Sequence, residues 1–165
     1  MLSRAQLIKL LDYNPVNGDW TWKVDMNYNA RMGEKAGFIS NTGYHCIRIK
    51  GQDYAAHRLA WLYVHGDWPK HQIDHIDGNK LNNRISNLRD VTFSENLKNM
   101  KVYSNNTSGV VGVGWFKQRG KWMASISVNG KNKYLGLFAN LEEAAKVRKQ
   151  AEIKYKYHPN HGSRK

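Results

Sequence analysis

The sequence predicts an α+β fold made of two small domains, residues 1–103 and residues 104–165. Two patterns predict this class: a strand, strand, helix unit in the middle of the chain, and three strands followed by a helix near its end. The boundary follows from charge, because residues 104–165 hold twelve Lys/Arg and three Asp/Glu and so carry +9 of the net +13. The polar stretch 104–109 opens this segment and is typical of a linker, so we place the boundary near Tyr103.

The composition excludes several classes of protein. The 165 residues are 41% hydrophobic with six Trp and nine Tyr, which is enough for a folded core. No apolar run approaches the ~20 residues of a membrane span, and the N-terminus lacks the pattern of a signal peptide. The single cysteine, Cys46, excludes an intramolecular disulfide and a zinc site with paired cysteines. We therefore expect a cytoplasmic protein whose excess positive charge favours a polyanionic partner.

The first part of the chain predicts two helices and two strands. A Ser-x-x-Gln capping box at Ser3 predicts a short N-terminal helix over the apolar residues that follow. Residues 20–22 and 44–49 alternate as strands do. Residues 55–65 carry apolar positions at helical spacing, and Gly66 marks the expected end of that helix.

Two strand-like segments and a helix follow in the middle of the chain. Residues 72–76 and 88–91 are separated by an Asn-rich loop. A second capping box, Thr92 to Glu95, predicts a helix over residues 93–102. Together these segments form one strand, strand, helix unit.

The last part of the chain predicts three strands and one helix. The strands are expected at residues 110–116, 122–128 and 134–138, with glycine-containing turns between them. Asn140 is placed to cap a helix whose alanine positions allow close packing on the sheet.

Asp74 and His75 are the most informative neighbours for chemistry. Adjacent side chains in a strand point to opposite faces, so the two act together only if the strand is short or bent. If the unit packs together, Asp74 and Asn96 can offer oxygens to a hard cation such as Mg²⁺, with His75 beside it. Cleavage of a phosphodiester requires both a base for water and a cation to offset developing charge. On spacing alone, such a pair is more often part of a surface turn.

The wider pattern is more specific than the pair. Five motifs occur in order at suitable spacing: DYNP at 12–15, AHRLAWLY at 56–63, IDHIDGN at 73–79, NNRISNLR at 82–89, and Glu95-Asn96 followed by Asn99. Over roughly residues 7–103 the chain resembles the HNH endonucleases encoded by bacteriophages and mobile introns.

The resemblance implies a ββα-metal nuclease centre. In it His75 is the general base, Asp74 and Asn96 are metal ligands, and Asn87 steadies the hairpin and orients His75. The third motif position is Asn96 instead of His, which makes the motif His-Asn-Asn. The implied cofactor is a divalent metal, Mg²⁺ first and Mn²⁺ as the alternative. The implied substrate is double-stranded DNA in a bacterial host cell.

The C-terminal segment carries a second resemblance. Residues 106–113, 120–126, 134–138 and 142–145 look like an AP2 domain, and the likeness covers about residues 105–157. It implies a three-stranded sheet, backed by a helix, whose exposed face lies in the DNA major groove. We expect Trp122 to belong to the core.

Basic and aromatic residues interleave along these strands, as in nucleic-acid-binding surfaces. The candidates for DNA contact are Arg58 and Arg84 in the nuclease domain, and Trp115, Lys117, Arg119, Lys121, Lys131, Lys133 and Tyr134 in the C-terminal domain. His57 and His65 are expected to pack or cap instead of binding a ligand.

Three functions are compatible with these residues. The first is a homing-type endonuclease that acts as a monomer and nicks one strand, because only one catalytic centre and no dimerisation helix are visible. The second is a sequence-specific DNA-binding regulator whose nuclease unit has decayed, against which the intact Asp74, His75, Asn87 and Asn96 argue. The third is a module that stacks single-stranded nucleic acid on its aromatic side chains.

Overall fold

The protein is described from a computed structural model, which covers residues 1–26, 30–97, 102, 105–159 and 161–162. It divides into two compact units, Met1–Val91 and Thr92–Lys165. The boundary predicted near Tyr103 lies outside the described residues. Among the helices that are described, none combines the length and apolar character needed to cross a bilayer.

In its described residues, 1–26 and 30–91, the first unit contains two α-helices and three small antiparallel sheets. Its helices are α1 (Arg4–Leu10) and α2 (Ala56–His65). Its strands are β1 (Leu11–Tyr13), β2 (Trp20–Trp22), β3 (Phe38–Ile39), β4 (His45–Ile49), β5 (Gln52–Ala55), β6 (Gln72–His75) and β7 (Leu88–Val91). They pair as β1–β2, β3–β4–β5 and β6–β7. The last pair is the hairpin that carries Asp74 and His75.

Local signals determine both helices of this unit. The Ser3 capping box forms as predicted, since Ser3 Oγ accepts from Gln6 N at 3.2 Å and Gln6 Oε1 accepts from Ser3 N at 3.0 Å. Helix α1 ends earlier than its apolar pattern suggests, because Leu11 is extended and enters β1, where it pairs with Trp22. Helix α2 ends as predicted at Gly66, whose φ of +93° suits a glycine.

One hydrophobic core joins these elements. Its fully buried members include Leu7, Trp20, Ile47 and Leu59, each with relative exposure of 1% or less. Burying each such side chain contributes on the order of 1.5–3 kcal/mol. Ile73 of β6 and Leu88 of β7 belong to the same core. The β6–β7 hairpin is therefore anchored by the apolar residues that flank Asp74 and His75.

The second unit contains a short helix, a three-stranded sheet and a longer helix. These are α3 (Phe93–Leu97), β8 (Val113–Phe116), β9 (Lys121–Val128), β10 (Lys131–Phe138) and α4 (Leu141–Lys154). The sheet is antiparallel in the order β10-β9-β8, and α4 packs on it around Val113, Ala124 and Ala144. The predicted combination of three strands and one helix is therefore present. Trp122 packs against this core, as expected.

Capping side chains start both helices of the second unit at the predicted positions. Thr92 and Glu95 form the capping box, with Thr92 N donating to Glu95 Oε2 at 2.9 Å and Glu95 N donating to Thr92 Oγ1 at 3.3 Å. Asn140 Oδ1 accepts from Glu143 N at 2.8 Å at the start of α4. Of the helix predicted over residues 93–102, Phe93–Leu97 is helical, and residues 98–101 lie outside the described part of the chain.

Candidate active site

The β6–β7 hairpin places Asp74 and His75 on opposite faces. Its register pairs Asp74 with Arg89 and His75 with Leu88. His75 lies on the face turned toward the core, next to Ile73, with 5% relative exposure. Because side chains alternate along this regular strand, the two neighbouring residues have different environments.

Asp74 forms a cross-strand ion pair with Arg89, which no sequence motif predicts. Arg89 Nη2 and Nε lie 2.6 and 2.9 Å from the same oxygen, Asp74 Oδ2. The two side chains are 11% and 29% exposed, so solvent screens this pair only partly. A cation bound by Asp74 would therefore share the carboxylate with a guanidinium group.

His75 is held by an amide and two rings. Its Nε2 lies 3.1 Å from Oδ1 of Asn83, a residue that is 1% exposed. Its ring meets His57 edge-on at a centroid distance of 5.0 Å, and Tyr44 at 6.1 Å. The imidazole is thus positioned by His57 of α2, by Asn83 of the loop before β7 and by Tyr44, which immediately precedes β4.

His57 is a buried, neutral neighbour of His75. Burial, together with the proximity of His75 and Arg58, lowers the pKa of His57 to about 3. It lies on α2 with 8% relative exposure, which agrees with the packing role expected for it. Because His57 stays uncharged at neutral pH, it places no cation beside His75.

Asn87 closes the loop between the two strands. Its Oδ1 accepts from Asp77 N at 3.0 Å, and its Nδ2 donates to Asp77 Oδ1 at 2.9 Å and to Asn82 O at 2.8 Å. These bonds steady the hairpin. The resemblance also implied that Asn87 orients His75, but the amide that reaches His75 belongs to Asn83. The loop path turns the Asn87 side chain toward Asp77.

Asp77 is the charged centre of that loop. Burial alone would raise its pKa, but hydrogen bonds from Asn82, from the backbone of Asn79 and from Asn87, with the proximity of His75, bring the pKa below the ordinary value. The Asp77 carboxylate is therefore ionised at neutral pH, and it anchors three donors of the loop.

Asn96 lies on α3 in the second unit, where its backbone N donates to Thr92 O at 2.9 Å. Asp74, His75 and Asn87 lie in the first unit. Within the described ranges, no group of three or more His, Cys, Asp or Glu side chains could hold a metal ion.

The two arginine candidates of the first unit have different surroundings. Arg58 Nη1 donates to His71 O at 3.3 Å, and its guanidinium lies 5.9 Å from the ring centroid of Trp68. Arg84 is exposed and immediately precedes a short 3₁₀ turn, Ile85–Asn87. Arg84 is thus the more accessible cation of the two.

The DNA-contact candidates of the second unit do not share one face of the sheet. Lys121 and Tyr134 point to the open face, together with Met123 and Ser127. Trp115 points to the helix side, where its ring lies 5.2 Å from that of Trp122.

The two candidate lysines on β10, Lys131 and Lys133, also lie on the helix side of the sheet. Lys131 pairs with Val128 and Lys133 with Ile126, and Lys133 Nζ lies 5.1 Å from the ring centroid of Tyr155. Lys117 and Arg119 are exposed in a 3₁₀ turn between β8 and β9. The expectation of one interleaved face is therefore wrong for Trp115, Lys131 and Lys133, because side chains alternate along each strand.

Known proteins resemble this chain over part of its length. Residues 54–98 match the family model described as HNH endonuclease. Protein 3.8 of Escherichia phage T7 is 43% identical over 76 residues, which are 46% of this chain and 63% of that protein. The SPbeta prophage-derived protein YosQ of Bacillus subtilis (strain 168), which carries the name of an HNH homing endonuclease, is 47% identical over 72 residues, 39% of this chain and 42% of that protein. The chain thus matches less than two thirds of the length of each relative.

Among solved structures, the one titled "DNA binding and cleavage by the HNH homing endonuclease I-HmuI" overlaps 92% of this chain and 87% of that chain. Its TM-score is 0.42 at 22% identity, which is too loose to place individual residues. The family match contains the residues that were identified from the motifs, namely Asp74, His75, Asn87 and Asn96. Residues 54–98 of this chain thus resemble the HNH endonuclease family.

Proposed function

We propose that this protein is a metal-dependent DNA endonuclease of the homing type that hydrolyses a phosphodiester in double-stranded DNA and nicks one strand. The observation that carries the proposal is His75, held by Asn83 on the β6–β7 hairpin within the segment that matches the HNH endonuclease family. The buried imidazole of His75, on the strand that also carries Asp74, supplies the base that phosphodiester hydrolysis requires.

His75 takes the proton from the attacking water in this proposal. Imidazole suits this task because its neutral form is available at cellular pH. His57, which packs edge-on against it, stays neutral and adds no repulsive charge. Asn87 and Asp77 keep the loop closed, so that the strand presenting His75 does not shift.

Asp74 and Asn96 are the proposed ligands of a divalent metal, an assignment that rests on the motif resemblance. A carboxylate and an amide oxygen are donors that a hard cation accepts, and Mg²⁺ keeps several waters in such sites. The donor chemistry therefore fits Mg²⁺, with Mn²⁺ as the alternative. When bound, the metal supplies positive charge that stabilises the scissile phosphate and the leaving oxygen.

The second unit is proposed to hold the duplex in the manner of an AP2-like domain. Residues 104–165 carry +9 of the net charge, which favours a polyanion. Lys121 and Tyr134 lie on the open face of the sheet, and Lys117 and Arg119 lie in the adjoining turn. We propose that the protein acts as a monomer in the cytoplasm of a bacterial host.

A supercoiled plasmid that carries the target site tests this function. Incubation with Mg²⁺ is expected to convert it to the nicked form, and chelation of the metal with EDTA is expected to prevent the conversion. A gel shift on the same preparation measures binding separately. Binding without cleavage in Mg²⁺ or Mn²⁺ would contradict the endonuclease and favour the DNA-binding regulator.

A further inference from the structure

We propose that Asn83 is the positioning residue for His75: its amide oxygen holds the imidazole as the Nε2–H tautomer, which makes Nδ1 the nitrogen that takes the proton from water. The second half of this inference rests on the proposed function of His75, whereas the tautomer itself does not. Asn83 lies in the motif NNRISNLR at residues 82–89, in the part that forms a loop. Only the folded structure shows that it lies next to His75.

The chemistry of the contact determines the tautomer. His75 Nε2 lies 3.1 Å from Asn83 Oδ1, and an amide oxygen can only accept a hydrogen bond. With Oδ1 of Asn83 as its partner, Nε2 carries the proton. A neutral imidazole has a single N–H, so the lone pair that can accept a proton from water is on Nδ1.

Burial makes this bond strong and costly to lose. Asn83 is 1% exposed and His75 is 5% exposed, so water cannot readily replace either partner. The second amide atom, Asn83 Nδ2, is buried with no hydrogen-bond partner among the described residues. A buried amide with an unsatisfied donor destabilises the folded state. An apolar residue would avoid that cost, so the asparagine is better explained by His75 than by stability.

The N-terminal hairpin holds the backbone of Asn83 in place. Tyr13 Oη donates to Asn83 O at 2.6 Å, and Tyr13 is itself buried. Gly18, with φ +82°, lies so close that a Cβ there would stand 2.8 Å from the carbonyl carbon of Asn83 and 2.7 Å from Arg84 N. Neither contact involves β6. The β1–β2 hairpin thus supports the general base indirectly, through Asn83.

Nuclear magnetic resonance of the ¹⁵N-labelled full chain tests the tautomer without requiring activity. The signals of His75 are assigned by their loss in His75→Gln. At a pH where the ring is neutral, the wild type is expected to show a protonated Nε2 and an unprotonated Nδ1. Asn83→Asp keeps an acceptor oxygen and is expected to keep this pattern, whereas Asn83→Leu is expected to give a mixture of tautomers.

A wild-type ring protonated on Nδ1, or a pattern unchanged in Asn83→Leu, would overturn the proposal. The wild-type spectrum decides the first point even if a variant fails to fold. Asn82→Leu is the matched control, because Asn82 donates to Asp77 Oδ2 at 2.6 Å and belongs to the same loop without bonding His75. Its tautomer pattern is expected to match that of the wild type.

Cleavage at saturating DNA tests the consequence. Asn83→Leu is expected to lower kcat on the order of 10- to 100-fold, less than the loss of a base itself, with DNA affinity unchanged. Asn83→Asp is expected to restore most of that loss. An unchanged kcat in Asn83→Leu would remove Asn83 from the mechanism. If the wild type does not cleave at all, the proposed function fails, while the spectrum still decides the tautomer.

Discussion

The β6–β7 hairpin and the sheet of the second unit differ in how far their polar side chains are exposed to solvent. In the hairpin and its loop, Asp74, Asn83 and Asn87 are shielded from water, and each bonds a specific partner. In the sheet, Lys121 and Tyr134 are exposed on an open face. Buried hydrogen bonds fix geometry, which catalysis needs, whereas exposed charges attract a phosphate backbone without fixing it. Single substitutions should therefore affect the hairpin sharply and the sheet gradually.

The largest effect is expected for His75→Ala. Loss of the general base is expected to lower the cleavage rate by roughly 10²- to 10⁴-fold, while DNA affinity stays nearly unchanged. Single-turnover cleavage and a gel shift on the same preparation measure both quantities. His71→Ala is the control, because the His71 side chain is 52% exposed and precedes the same strand. Cleavage by His75→Ala at the rate of the control would remove His75 from the mechanism.

Asp74→Ala is expected to raise the Mg²⁺ concentration needed for activity, and by more than Asn96→Ala does. The carboxylate charge attracts a hard cation, whereas an amide adds one neutral oxygen. Titration of each variant with Mg²⁺ makes the comparison. Asp53→Ala is a matched control, because it breaks the exposed cross-strand pair between Arg48 and Asp53 in the same unit. An unchanged metal requirement in Asp74→Ala would place the ion elsewhere.

A moderate effect is expected for substitutions on the open face of the sheet. Lys121→Ala is expected to lower the slope of log affinity against log salt by about 0.9, since one phosphate contact is lost. Lys133→Ala, on the helix side near Tyr155, is expected to leave the slope unchanged. Affinity at several salt concentrations measures both variants. The reverse result would show that the helix side of the sheet faces the DNA.

The smallest effect is expected for the pH dependence of stability. Because the pKa of Asp77 is lowered in the fold, the unfolded chain binds more protons in acid. The stabilisation is present above the ordinary aspartate pKa of ~3.9 and is lost as the pH falls through the lower folded value. Asp77→Asn is therefore expected to be less stable than the wild type at neutral pH, and the difference is expected to shrink in acid. Urea unfolding of both proteins from pH 7 to pH 3 measures this difference in stability. A difference that stays constant over this range would contradict the role of Asp77.

Local signals account for what the sequence could predict. The capping boxes at Ser3 and Thr92, the helix end at Gly66 and the cap at Asn140 depend on residues within one turn, and all four are confirmed. Strands β1, β3 and β5 were not predicted. Leu11 of β1 continues the apolar pattern of helix α1, and β3 has only two residues, too few to show alternation.

Contacts between distant residues account for what the sequence could not predict. The bond from Asn83 to His75 depends on the path of the loop, and the pairing of Asp74 with Arg89 depends on the hairpin register. Alternation along the strand already predicts that Lys133 and Tyr134 lie on opposite faces of the sheet. Which of the two faces the helix covers depends on the packing of α4. Motifs could therefore point to the candidate catalytic residues, while their partners required the fold.

Strand-specific cleavage of a labelled duplex tests the central claim most directly. The full chain is incubated with a DNA duplex that carries the target site and a different label on each strand, in Mg²⁺ and in EDTA. The account predicts that one strand is cut in Mg²⁺, that neither strand is cut in EDTA, and that His75→Ala binds the duplex without cutting it. Cleavage that persists in EDTA or in His75→Ala would contradict a metal-dependent nuclease centre on the β6–β7 hairpin.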